Sequence, residues 1–197
     1  MGDGIRVGVL GSLEVWRRNR PVRLASALQR MLVARLALDP GRTVAVEALV
    51  DDLWEDRPPA DARGALHHHV SRLRKAIGPV VVTRGAGYLL EVDPDDVDAL
   101  RFARLARTGR EALRTGDVHV AGETLRAALA LRRGPPLQEF VDREWARPVV
   151  VRLQEQHVDA VEDRLEADLA AGLHADLVDE IRSCSPPTRS VSGCGGS

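Results

Sequence analysis

The chain has 197 residues, of which 44% are apolar, enough for one large core or two small ones and too many for a disordered chain. Its formal net charge of -1 conceals opposed halves: residues 1–94 hold 14 Lys/Arg against 11 Asp/Glu, and residues 95–197 hold 14 against 18, so they carry +3 and -4. That asymmetry permits a nucleic-acid surface in the first half without establishing one, while the absence of a leader pattern or a bilayer-length apolar run makes a cytoplasmic location, with no membrane association, the default expectation.

Val7 and Val9, then Leu13 and Val15, alternate with small or polar residues, and Val22 and Leu24 follow the turn-prone Arg18-Asn19-Arg20-Pro21. This predicts a small antiparallel sheet of three short strands. Ser26 stands where a helix N-cap belongs, and Leu28, Met31, Leu32 and Leu36 recur at helical spacing up to the break at Asp39-Pro40-Gly41. After an extended link at Thr43-Val44, Val46, Leu49, Val50, Leu53 and Trp54 mark a second amphipathic helix, ended by Pro58-Pro59.

A third helix is predicted from about Ala60 to Ile77, with Ala62, Leu66, Val70, Leu73 and Ile77 on one face, and Gly78-Pro79 stops it. Two β-rich runs around the Gly85-Ala86-Gly87 turn follow it, which predicts a hairpin. Three helices closed by a hairpin describe a winged helix-turn-helix. Beyond Pro94 the pattern becomes wholly helical: Phe102, Leu105, Ala106, Gly109 and Ala112 on one helix, Val118, Ala121, Leu125, Ala128 and Leu129 on the next, with Gly116-Asp117 between them. The period and the small residues at the predicted contact describe a tetratricopeptide-like pair. Arg133-Gly134-Pro135-Pro136 interrupts, a long helix runs through Leu153, His157, Val161, Leu165 and Leu169 to Gly172, and a further helix is expected from about His174.

The fold class is therefore α+β followed by all-α, with domains at residues 1–94 and 95–181 and a tail at 182–197. On the third helix the buried stripe leaves His68, Ser71 and Lys75 opposite it, with His67, Arg72 and Arg74 at its flanks. A basic helix face of this kind fits a major groove about 12 Å wide, where arginine can give two hydrogen bonds to guanine and serine or neutral histidine can give or accept one. Arg72 is the first candidate for base contact, with Ser71, His67 and His68 beside it; Arg63, His69, Arg74 and Lys75 are placed for phosphates. Arg84, at the hairpin turn, suits a narrow and electronegative minor groove. Gly64, costly inside an exposed helix, is expected where another backbone approaches closely. His67-His68-His69 cannot converge on one metal ion, because consecutive helical residues point about 100° apart.

The run Ala65-Leu66-His67-His68-His69-Val70-Ser71-Arg72-Leu73-Arg74-Lys75-Ala76-Ile77, followed by Val82-Thr83-Arg84-Gly85-Ala86-Gly87-Tyr88, resembles the OmpR/PhoB-type DNA-binding domains. Together with Val9-Leu10-Gly11-Ser12-Leu13-Glu14-Val15, with Leu53-Trp54 before Pro58-Pro59, and with Leu129-Ala130-Leu131-Arg132-Arg133-Gly134-Pro135, the chain resembles the SARP/AfsR-type regulators of antibiotic clusters over residues 5 to about 181. The resemblance implies a winged-helix domain joined to a bacterial transcriptional activation domain, binding direct repeats at promoters and recruiting RNA polymerase. It also implies base contacts for Arg72 and Ser71, phosphate contacts for His69 and Arg74, and a minor-groove role for Arg84. Gly64 stands where the family often has a phosphate-binding side chain.

After Ile181 the composition changes to a Ser/Pro/Gly-rich tail that holds both cysteines, Cys184 and Cys194, without ligand spacing, so no metal site, disulfide framework or cofactor is expected. Another reading frame with GC-rich codons can spell a continuation similar to the family's, so a frameshift is one expected origin of this tail. A repeat cut short there would expose an apolar face and favour a homodimer or low stability. The alternative to a DNA-binding activator is a helical adaptor that binds protein partners alone. No phosphate-binding glycine loop, nucleophile constellation or convergent carboxylate pair points to an enzyme.

Overall fold

The computed structural model describes residues 4–172. Strands β1 (Ile5–Gly8), β2 (Glu14–Arg17) and β3 (Arg20–Pro21) form an antiparallel sheet in the order β1-β2-β3. The turn from β2 to β3 puts Arg18 and Asn19 at φ 49° and 64°, the positive-φ pair that a two-residue hairpin demands. Helix α1 (Ala27–Ala37) follows; Ser26 occupies its N-cap position, but its side chain makes no capping bond. Strand β4 (Val44–Ala45) leads into α2 (Val46–Trp54), then α3 (Ala62–Ile77), β5 (Val81–Arg84) and β6 (Gly87–Leu90), with sheet order β4-β6-β5. The short link predicted at Thr43-Val44 is thus the third strand of the wing sheet, Val44 opposite Tyr88.

Helices α4 (Asp98–Arg114) and α5 (Val118–Leu129) form the expected pair. Gly116 (φ 85°) allows the reversal and the Asp117 carboxylate accepts from the Val120 N–H at 3.4 Å. Gly109 on α4 lets the helices meet: a Cβ there would lie 2.6 Å from Cγ of the fully buried Leu125. Helix α6 (Arg147–Ala170) packs against α5, where Asp168, only 3% exposed, binds Arg126 and lies 3.2 Å from Arg164.

The buried side of α6 is not the four-spaced row Leu153, His157, Val161, Leu165 and Leu169 through which the helix runs in the sequence. Leu153, Ala160, Ala167 and Asp168 are buried, whereas Leu165 is half-buried and Leu169 is 52% exposed. Four-residue steps advance about 40° around a helix and carry a stripe off the contact face, while seven-residue steps drift only about 20°. The helix expected from His174 and the tail at 182–197 lie outside the described residues. Among those described, no helix is long and apolar enough to cross a membrane.

The segment 131–146, which sequence patterning leaves unassigned beyond its interruption, straps the helical half to the first sheet. The N–H groups of Arg133, Leu137 and Gln138 donate to the carbonyls of Leu10, Val9 and Gly11 at 2.8, 2.8 and 3.2 Å. Leu137 and Phe140 of this strap are buried. Glu139 accepts from the Leu13 N–H at 2.8 Å and pairs with Arg30 of α1. A single buried cluster consequently runs from Ile5, Val7 and Val9 through Leu32, Leu66 and Leu73 to Phe102, Leu125 and Leu153.

Candidate nucleic-acid interface

Helix α3 begins at Asp61, whose carboxylate accepts from the Gly64 N–H at 2.9 Å. A Cβ on Gly64 would crowd the Asp61 carboxylate, the movable end of an exposed side chain. From there Leu66, Val70, Leu73 and Ile77 enter the core and are fully buried. Their burial orients the remaining faces, so His67, His68, Ser71, Arg72 and Lys75 are all exposed.

The four residues expected at phosphates differ in freedom. Lys75 is exposed. Arg63 is exposed but forms an ion pair with Glu47 near the start of α2. Arg74 is half-buried and turned toward the hairpin: its Nε–H donates to the Val81 carbonyl at 2.6 Å and Nη2 to Thr83 Oγ1 at 2.8 Å, and the guanidinium lies 6.0 Å from the Tyr88 ring centre.

His69 is half-buried against Trp54, with ring centres 6.3 Å apart, and its Nδ1 is buried without a hydrogen-bond partner. Burial holds its pKa below the ordinary imidazole value, and electrostatic interaction with His68 and Arg72 pushes the same way. His157 on α6, which packs near Phe102 with ring centres 6.3 Å apart, is lowered first by burial and then by Arg132. Sequence patterning placed His157 on a helix but held no sign of this neutral, enclosed state. A base whose pKa falls on folding binds fewer protons in the native state, so it withdraws stability as pH falls below its unfolded value of about 6.5. The urea midpoint should therefore be lower at pH ~5.5 than at pH ~7.5, and His157→Gln should shrink that difference. Equal midpoints at the two pH values would refute the assignment.

In the hairpin Arg84 pairs with Gly87 across a turn at Gly85 and Ala86, and Gly85 has φ 56°. Arg84 is exposed. The two glycines serve different needs. Gly85 meets the turn's φ, whereas a Cβ on Gly87 would overlap the Val44 carbonyl, so Gly87 exists for the close approach of β4. The Val46 N–H, the first of α2, donates to the Ala86 carbonyl at 3.0 Å. Helices α2 and α3 and the wing are thereby joined to one another, the first through Ala86 and the second through Arg74. Among the described residues, no three His, Cys, Asp or Glu side chains are grouped to hold a metal ion.

Residues 19–90 match the family model of the transcriptional regulatory protein C-terminal domain, and residues 97–185 match that of the bacterial transcriptional activator domain. The chain is 34% identical to the regulatory protein DnrI of Streptomyces peucetius, covering 90% of this chain and 70% of that protein. It is 37% identical to the regulatory protein AfsR of Streptomyces coelicolor, covering 90% of this chain but 18% of AfsR. A solved structure of Mycobacterium tuberculosis EmbR, in complex with a low affinity phosphopeptide, superposes with a TM-score of 0.86 at 31% identity, over 92% of this chain and 50% of that one. Both halves of the fold and both family matches agree, and the chain belongs to the SARP/AfsR-type family of transcriptional regulators, an OmpR/PhoB-type winged helix followed by a bacterial transcriptional activator domain.

Proposed function

We propose that this chain is a sequence-specific DNA-binding transcriptional activator acting in the cytoplasm. Helix α3 enters the major groove with Arg72, Ser71, His67 and His68 toward base edges, and the wing sets Arg84 in the neighbouring minor groove. Lys75 and Arg63 take phosphates, the latter by exchanging Glu47 for a phosphate oxygen. His69, neutral and half-buried, has only a ring N–H to offer a phosphate. The observation that carries this reading is the separation of faces on α3: its apolar stripe is fully buried, and the polar face left exposed belongs to the helix that Arg74 links to the wing.

Residues 1–94 form the DNA-binding unit in this reading, and residues 95–181 form the activation unit that contacts RNA polymerase or a second copy. Binding to direct repeats upstream of an antibiotic biosynthetic cluster is the target class that membership of the family suggests. The test is selection of bound duplexes from a random library, followed by footprinting of the selected site. Two protected repeats in the same orientation, with affinity falling steeply as salt rises, are expected. Protein capture without any salt-sensitive DNA affinity would replace this function with the adaptor reading.

A further inference from the structure

We propose that Arg74 is a positioning residue for DNA recognition, fixing the wing against α3, and that its contribution does not come from binding phosphate. This rests on the DNA-binding reading above. Two of the five guanidinium N–H groups are committed to β5, one to the Val81 carbonyl at 2.6 Å and one to Thr83 Oγ1 at 2.8 Å. The fork is planar and rigid, so two bonds to positions two residues apart along a strand fix its direction as well as its place. The buried Tyr88 on β6, opposite Thr83, lies beneath the cation at 6.0 Å. One side chain thus spans both strands of the wing from a helix that carries Arg72 two residues earlier, and Thr83 directly precedes Arg84. Helix and wing must reach different grooves of one duplex, so the angle between them governs whether Arg72 and Arg84 can be seated together.

A lysine at this position would keep the charge and lose the fork, which separates the two roles. The variants are Arg74→Gln, Arg74→Lys and Thr83→Val in the full chain, each with and without Arg84→Ala. The readouts are affinity for the selected duplex at several salt concentrations, and amide exchange of residues 82–88 in the DNA-free protein. Positioning predicts that Gln and Lys both weaken specific binding about tenfold, the size of misaligning one groove contact, with an unchanged salt slope. It predicts faster exchange of the wing amides in all three variants, and a smaller effect of Arg84→Ala in each of them. A salt slope reduced by about 0.9, rescue by lysine and unchanged wing exchange would identify a phosphate contact and overturn the proposal. If the wild-type chain bound no duplex, the functional reading would fail by itself. The exchange data would then still decide whether Arg74 holds the wing.

Discussion

Replacing Arg72 by alanine should reduce affinity for the selected duplex by roughly 5- to 150-fold, the equivalent of one bidentate arginine–guanine contact at ~1–3 kcal/mol. Arg72 is exposed on α3, between Leu73 in the core and the solvent-facing Ser71, so its truncation removes no core contact. The loss should therefore appear in binding and not in the unfolding midpoint. It should also be selective. A residue that reads a base matters on the cognate site and little on random DNA, whereas Lys75→Ala should weaken both by a similar factor and flatten the salt dependence by about one counterion. Competition assays against unselected duplex, run with both variants, separate the two roles. If neither change altered specific binding, the base-reading face would have to be sought elsewhere on the molecule.

The neighbours of Arg72 show how far such reasoning reaches from sequence. Leu66, Val70, Leu73 and Ile77 could be placed in the core because helical period is a local property, and everything opposite them followed as exposed surface. Arg74 could not be understood in the same way. Its partners Val81 and Thr83 lie across the Gly78-Pro79 break, and only the folded turn reveals that the side chain bends toward the wing instead of outward. Gly87 was visible as a glycine, but the reason for it, a neighbouring strand, is tertiary. The buried side of α6 has a countable origin. A run of leucines and valines spaced by four drifts around the helix, while the inconspicuous Ala160 and Ala167, each seven residues after the last, stay on the buried side with Leu153.

The join between the halves is the other feature that local pattern does not disclose, and it leads to the second large effect. Asp98, at the first turn of α4, accepts from the N–H groups of Val9 and Leu10 at 2.7 and 3.0 Å and from Arg133 at 3.0 Å. Arg133 in turn reaches Glu14 at 2.7 Å and lies 5.8 Å from the Trp16 ring centre. The Asp98 side chain is 13% exposed, so water cannot fully replace it. Asp98→Ala should strand two part-buried N–H groups and leave Arg133 with Glu14 as its carboxylate partner, at a cost of roughly 2–4 kcal/mol. Asp98→Asn should fall between, since its carbonyl oxygen can still accept while its amide nitrogen would face donors. Arg133→Ala should cost less than Asp98→Ala, because it leaves both backbone donors satisfied by the carboxylate. Urea unfolding followed by tryptophan fluorescence reads all three, with Trp16 near the join and Trp145 within the strap. Because one core spans the chain, the unaltered protein should unfold in a single transition. A wild-type midpoint for Asp98→Ala would mean that the strap and the shared core hold the halves without this carboxylate. A loss of the expected size, with order Ala, Asn, wild type, would make Asp98 the pin between the N-terminal half and the helical half.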